Sequence, residues 1–172
     1  KLIKIERFMT DYDLKLQQLQ KEFIEINTKR ANKWQFTPDQ KAIYDFVIKS
    51  QRYTTFNIAG YDIILKVGNE DFGFKHFLLK HYGTGCVGEI KANDILKLGN
   101  VIKHNISVPA KEDKIKFIQT KGDLKYSVVL KPQKDGKLVV SFFSSKEEIK
   151  IIEQIEIINK IIKELDSCSP SP

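Results

Sequence analysis

Few cysteines and no long apolar runs limit the classes of protein to which this sequence can belong. The 172 residues include only two cysteines, Cys86 and Cys168, which lie far apart and lack the spacing of zinc ligands. Neither a disulfide framework nor a zinc site is therefore predicted. Glu153, Glu156 and Lys160 interrupt the isoleucine-rich C-terminal segment before it reaches the roughly 18 apolar residues that a membrane helix requires. We expect a soluble protein without a membrane span.

The sequence also lacks a secretory leader and a phosphate-binding P-loop. It begins at Lys1 and continues directly into an amphipathic pattern, so we expect no signal peptide and interpret the chain as a fragment of a longer protein. Residues 83–88 contain three glycines, but no strand precedes this loop in the P-loop manner and no lysine follows it. The loop is predicted to be either a flexible turn or a loop that contacts substrate.

Positive charge is concentrated in one part of the chain. The formal net charge is +7, and residues 75–137 contain 13 Lys or Arg against six Asp or Glu. Such a segment favours polyanions, because its cations release counterions from the polyanion and attract it over long distances. The alternative is lysine-rich codon usage in an AT-rich genome, and composition alone leaves both interpretations open.

The apolar patterns predict an α+β fold, with helices first and a small antiparallel β-sheet after them. The predicted helices cover residues 2–31, Thr37 to about Ser50, about 70–82, Asn93 to about His104, and the segment from Lys146 onward. The predicted strands cover residues 54–58, 114–120, 124–131 and 137–144, while 62–67 is either a strand or a helical turn. We divide the chain into a helical N-terminal extension (1–53), an α+β domain (54–145), a C-terminal helix (146–166) and a disordered tail (167–172).

The third predicted helix contains two of the three histidines, His76 and His81. Histidine is the side chain that titrates near neutral pH without further perturbation. Five residues correspond to roughly 140° around a helix, which argues against a shared metal ion, because a helical zinc pair needs i,i+4 spacing. His81 continues an apolar stripe and is either a packed helix cap or a group at the rim of a cleft. His76 is either simply exposed or acts in acid–base chemistry.

Three segments together carry a resemblance to a known superfamily. They are Gly73–His81 (GFKHFLLKH), Lys125–Lys131 (KYSVVLK) and Leu138–Phe143 (LVVSFF). This order resembles the phage-type nucleases of the barnase/EndoU/colicin/RelE-like superfamily, a kind of domain found in polymorphic toxins. Phe77 stands where an aliphatic residue is usual, and Ser141 stands where Thr is commoner. The resemblance covers about residues 54–145, which it implies are a nuclease-like α+β domain with long N- and C-terminal helices outside it.

The resemblance implies a metal-independent endoribonuclease that acts as a toxin in the cytoplasm and needs no cofactor. It implies catalytic roles for His76, His81 and Ser141 and phosphate contacts for Lys80, Lys125 and Lys131. Strand alternation separately predicts that Lys125 and Lys131 share one face of the sheet and form a basic edge. The implied partners are RNA, with tRNA as one candidate, and an acidic immunity or antitoxin protein.

Two alternatives to a metal-independent ribonuclease stay open at this point. A non-catalytic module on a degraded nuclease fold would bind nucleic acid or protein, with the first and last helices as its interaction surfaces. A metal-dependent nuclease would need a cluster of Asp and Glu residues, which the sequence does not indicate. The oligomeric state and the parent protein, of bacterial or phage origin, are not indicated by the sequence.

Overall fold

The computed structural model describes residues 8–86, 88–146 and 149–167. Its helices are α1 (Asp11–Arg30), α2 (Pro38–Ile48), α3 (Phe74–His81), α4 (Ala92–Leu96), α5 (Leu98–Lys103) and α6 (Ile149–Ser167). Its strands are β1 (Tyr53–Ile58), β2 (Tyr61–Lys66), β3 (Ser107–Pro109), β4 (Ile115–Lys121), β5 (Leu124–Pro132) and β6 (Leu138–Lys146). The predicted α+β class is confirmed.

The first helix begins later than its periodicity predicts. Thr10 and Asp13 form a capping box in which the Asp13 N–H donates to Thr10 Oγ1 at 3.2 Å and the Asp13 carboxylate accepts from the Thr10 N–H at 3.0 Å. Phe8 and Met9 precede this cap and are 89% and 47% exposed. The predicted helix is therefore wrong over residues 8–10, because the cap satisfies the first free N–H groups at Asp11. Its predicted residues 2–7 lie outside the described part of the chain.

The second and third helices differ in how well their N-termini were predicted. Thr37 caps α2 and Pro38 opens it, as predicted. The histidine helix α3 begins at Phe74 and not near residue 70, because the Asn69 side chain accepts from the N–H groups of Asp71 and Phe72 and holds these residues in a turn. A polar side chain that offers the backbone such a local partner competes with helix formation.

The helix predicted from Asn93 to His104 is two short helices. Asn93 lies inside α4 and does not cap it; the Asp94 carboxylate instead accepts from the Lys91 N–H at 2.9 Å. The backbone leaves helical geometry at Lys97, with φ −102° and ψ 16°, before α5 begins. The predicted cap is therefore wrong, and the predicted single helix is interrupted at Lys97.

The six strands form one sheet in the order β1-β2-β6-β5-β4-β3. The predicted antiparallel meander corresponds to β4, β5 and β6, and the short strand β3 extends it along the edge of β4. The ambiguous residues 62–67 fall mainly in β2, which forms an antiparallel hairpin with β1. This hairpin joins the meander through a short parallel pairing of Ile63 and Ile64 with β6. The parallel pairing was not predicted, because its partners are about 75 residues apart in the sequence.

One hydrophobic core lies between the helices and one face of the sheet. It contains Leu19 and Phe23 of α1 together with Ile43 and Phe46 of α2, so these two helices share a core with the sheet. The predicted domain boundary after residue 53 falls inside β1. By contrast, every side chain from 154 to 167 in α6 is exposed. Of the predicted disordered tail, residues 168–172 lie outside the described residues.

Candidate functional site

Helix α3 positions both histidines by burying its opposite side. Phe74, Phe77 and Leu78 are completely buried, and the Phe74 ring makes edge-to-face contacts with Phe46 and Phe77 at centroid distances of 5.0 and 5.1 Å. At the start of the helix, Gly73 has φ +96°, a conformation that side-chain-bearing residues rarely adopt. The apolar stripe and this turn fix where α3 begins and which way it faces.

A lysine from α1 caps the other end of α3. Lys15 Nζ donates to the backbone carbonyl oxygens of Leu78, Leu79 and Tyr82 at 3.3, 3.1 and 2.7 Å. The last carbonyls of a helix lack partners within the helix and carry partial negative charge, so a cation is favourable at this position. Lys15 thus attaches the C-terminal end of α3, where His81 lies, to the first helix.

The structure brings His76 and His81 together. Their ring centroids are 5.7 Å apart and their planes meet at 73°. The helical wheel predicted that the two residues lie on different sides of the helix, because a wheel gives only the directions of the Cβ atoms. The rings meet nevertheless, because each histidine can turn about two side-chain torsions and His81 is the last residue of the helix.

Backbone carbonyls fix the orientation of each imidazole. His76 Nδ1 lies 2.6 Å from the Glu70 carbonyl oxygen, and the Gly88 backbone forms a hydrogen bond with His81. Because a carbonyl oxygen can only accept, Nδ1 of His76 carries a hydrogen and its Nε2 stays available for proton transfer.

His81 favours its neutral form. Burial lowers the pKa of His81 below the usual histidine value, and the nearby charges of His76, Lys15 and Lys80 lower it further. The hydrogen bond that His81 makes to the Gly88 backbone raises the pKa and opposes these effects. A half-buried imidazole among cations is less easily protonated than one in water. His81 is therefore suited to accept a proton at neutral pH.

His81 of the histidine pair contacts the sheet face that lies opposite the core. The His81 ring contacts the Phe143 ring at a centroid distance of 5.7 Å, and Lys116 Nζ lies 5.6 Å from the centroid of that phenyl ring. In β4, β5 and β6 the residues that alternate with the core positions form this face: Lys116, Ile118, Lys125, Ser127, Val129, Lys131, Ser141 and Phe143. We call this surface the lysine face.

The other residues that the resemblance implied are distributed over this surface and α3. Ser141 lies two residues before Phe143 on the lysine face and is 6% exposed; the contacts found among the described residues include none between Ser141 and an imidazole. Lys125 and Lys131 lie on the same face, and Lys131 Nζ is 5.8 Å from the Phe72 ring centroid. Lys80 is exposed on α3.

Sequence reasoning missed several members of the site. Phe143 and Lys116 could have been predicted, because strand alternation places them on the same face as Ser141 and Lys125. Lys15 and Gly88 could not have been predicted from the sequence, since their roles depend on contacts with α3 that only the folded chain makes.

The described residues show neither a metal-ligand cluster nor a membrane helix. In the ranges 8–86, 88–146 and 149–167, no three His, Cys, Asp or Glu side chains are grouped as a metal site would need. None of the described helices is both long and apolar enough to cross a bilayer.

Comparison with known proteins gives no relative. No protein-family model matches the chain, and no curated protein or solved structure is significantly similar to it. The fold and the site define an α+β protein in which two histidines contact each other and one of them contacts a lysine-bearing sheet face.

Proposed function

We propose that this chain is a metal-independent endoribonuclease in which His76 and His81 carry out acid–base catalysis. The observation that supports this most strongly is the 5.7 Å separation of the two imidazoles, each held by a backbone carbonyl. Cleavage of RNA through its own 2′-hydroxyl needs one group that removes a proton and another that delivers one. Two adjacent imidazoles can divide these two tasks between them.

In the mechanism that we propose, the lowered pKa of His81 favours it as the base, and His76 acts as the acid. Neutral His81 accepts the proton of the ribose 2′-OH, and the 2′-oxygen then attacks the phosphorus. The bond from phosphorus to the 5′-oxygen breaks, and protonated His76 gives its proton to that leaving oxygen. The products are a 2′,3′-cyclic phosphate and a free 5′-hydroxyl, and a second turnover requires the two imidazoles to return their protons to the initial arrangement.

Cations near the pair stabilise the negative charge that accumulates on the phosphate. Lys80 extends from the same helix, and Lys116 lies near the Phe143 ring that His81 contacts. Lys125 and Lys131 continue the positive charge along the lysine face, where an RNA strand would lie. The resemblance would also give Ser141 a hydrogen bond to a phosphate oxygen, although only 6% of this residue is exposed.

The wider assignment follows from the same features. An α3 helix with two histidines, packed beside an antiparallel β4-β5-β6 meander, supports membership in the barnase/EndoU/colicin/RelE-like superfamily. A toxin of that kind acts on RNA in the cytoplasm and needs an inhibitor, for which an acidic protein would suit the net charge of +7.

The test is cleavage of tRNA and total RNA in EDTA. We expect His76→Gln and His81→Gln each to lower the cleavage rate by about 10²- to 10⁴-fold, the usual contribution of a general acid or base. The matched control is His104→Gln, because His104 is exposed beyond the end of α5. Full activity in both site variants would refute the proposal. An absence of cleavage together with salt-sensitive RNA binding would favour the non-catalytic binding module.

A further inference from the structure

A cleft of ligand size opens between α4 and the ends of β5 and β6. It has a volume of about 540 Å³, and a smaller cavity of about 20 Å³ shares Asn93, Asp94 and Tyr126 with it. Ligand sites typically occupy roughly 300–1,000 Å³. The three shared residues make the two cavities parts of one cleft, which the proposed chemistry of the histidine pair does not use.

Gly88 lies between the cleft and His81, one of the two proposed catalytic histidines. Gly88 lines the cleft, and a Cβ atom at Gly88 would lie 3.5 Å from His81 Nδ1. Ser144 holds this wall in place, because its Oγ donates to the Glu89 carbonyl at 2.5 Å and its N–H donates to the Gly88 carbonyl at 3.4 Å. Tyr126 and Ser144 lie on the core side of the sheet, so Gly88 at the edge of β6 separates the cleft from His81, and an RNA strand that contacts both would cross this edge.

An aromatic side chain, Tyr126, lies in the wall that the two cavities share. Tyr126 borders both cavities, with the Phe142 ring packed beside it at a centroid distance of 6.2 Å. Lys121 Nζ lies 5.4 Å from the Tyr126 ring centroid. Proteins that bind single-stranded RNA combine aromatic rings, on which bases stack, with cations that contact the backbone.

Polar groups around Tyr126 can contact the edge of a base. The Asn93 side chain lines both cavities, and the hydrogen bonds found among the described residues include none from it. A free amide offers two donors and one acceptor. Burial and the charge of Asp94 raise the pKa of the Tyr126 hydroxyl, which therefore stays protonated and able to donate. Lys91 and Lys97 add positive charge on the α4 side.

We propose that this cleft binds the base of an RNA nucleotide that flanks the scissile phosphate, with Tyr126 as the stacking surface and Asn93 as the contact to the base edge. This inference rests on the proposed ribonuclease function, because it takes RNA as the ligand. The proposed mechanism includes contacts to phosphate groups only, and this cleft would add a contact to a base.

The test uses fluorescence anisotropy with a labelled single-stranded oligoribonucleotide whose 2′-hydroxyls are methylated, so that it cannot be cleaved. Tyr126→Leu removes one base–aromatic stack and should weaken RNA binding about ten-fold. Tyr126→Phe keeps the ring and should bind RNA nearly as tightly as the wild type does. Leucine keeps apolar packing against Phe142, and thermal unfolding checks that the variant folds. The matched control is Tyr53→Leu, which removes a 62%-exposed tyrosine from β1 and should leave binding unchanged. Asn93→Ala should alter the relative affinities for different homopolymers.

The outcomes separate this inference from the proposed function. If Tyr126→Leu binds as tightly as the wild type, the cleft is not a base site, even where the protein cleaves RNA. If Tyr126→Leu weakens binding but the wild type cleaves no RNA, the base site stands and the catalytic proposal fails. If the wild type binds no RNA and a peptide occupies the cleft instead, both are overturned.

Discussion

Lys15→Met tests how the histidine helix is held. Methionine keeps the length of the lysine side chain but removes the ammonium group that donates to the carbonyls of Leu78, Leu79 and Tyr82. A cation on the last carbonyls of a helix contributes roughly 0.3–2 kcal/mol, and hydrogen bonds to charged groups contribute roughly 1.5–3 kcal/mol. Because Lys15 is half-buried, water can replace part of the hydrogen bonding that the carbonyl oxygens lose, which reduces the cost of the substitution. We expect the free energy of unfolding to fall by about 2 kcal/mol, which lowers Tm by roughly 4–8 °C.

Urea denaturation and thermal unfolding measure this loss, with Lys21→Met as the matched control. Lys21 is an exposed lysine of the same helix, so its replacement should change stability by less than about 0.5 kcal/mol. Lys15→Met should also raise the pKa of His81, because Lys15 is one of the cations that lower it. Equal stability of the two variants would refute the capping role of Lys15.

Three further predictions concern His81 and the packing of α5. In a proton NMR titration, His76→Gln should raise the pKa of His81 by removing a neighbouring charge; an unchanged pKa would mean that the imidazoles do not interact. Burial holds the pKa of folded His81 below its value in the unfolded chain, so the free energy of unfolding should fall as the pH drops below about 6.5. In urea denaturation, His81→Gln should lack the part of this pH dependence that His81 contributes. Gly99→Ala should cost about 1–3 kcal/mol, because its Cβ would lie 2.3 Å from Asp39 Oδ2 and 2.6 Å from Ile58 Cδ1; wild-type thermal stability would contradict that packing.

Elements whose signals are local were predictable from the sequence. Helix α2 follows from Thr37 and Pro38, and the β4-β5-β6 meander follows from β-rich runs joined by short connections that contain Gly122 and Gly136. Boundaries set by side-chain bonds to the backbone were not predictable. Apolar periodicity continues before Thr10, where its capping box with Asp13 starts α1, and Asn93 resembles a cap although Asp94 provides the capping bond.

The site was predictable only in part, for a similar reason. The sequence singled out His76 and His81 by residue type, and strand alternation indicated that Lys125 and Lys131 share a face. The contact between the imidazoles depends on side-chain torsions, which periodicity does not describe. Lys15 reaches the end of α3 from a helix more than 60 residues earlier, and no spacing rule links the two.

A single 2′-deoxy substitution in the substrate tests the central claim most directly. A short oligoribonucleotide that the protein cleaves at one known phosphodiester is compared, in EDTA, with the same strand lacking only the 2′-hydroxyl on the 5′ side of that bond. Attack by the 2′-oxygen with histidine acid–base catalysis predicts that the unmodified strand yields a 2′,3′-cyclic phosphate and that the deoxy strand is not cut at that bond. Cleavage of the deoxy strand at the same position would contradict the proposed mechanism.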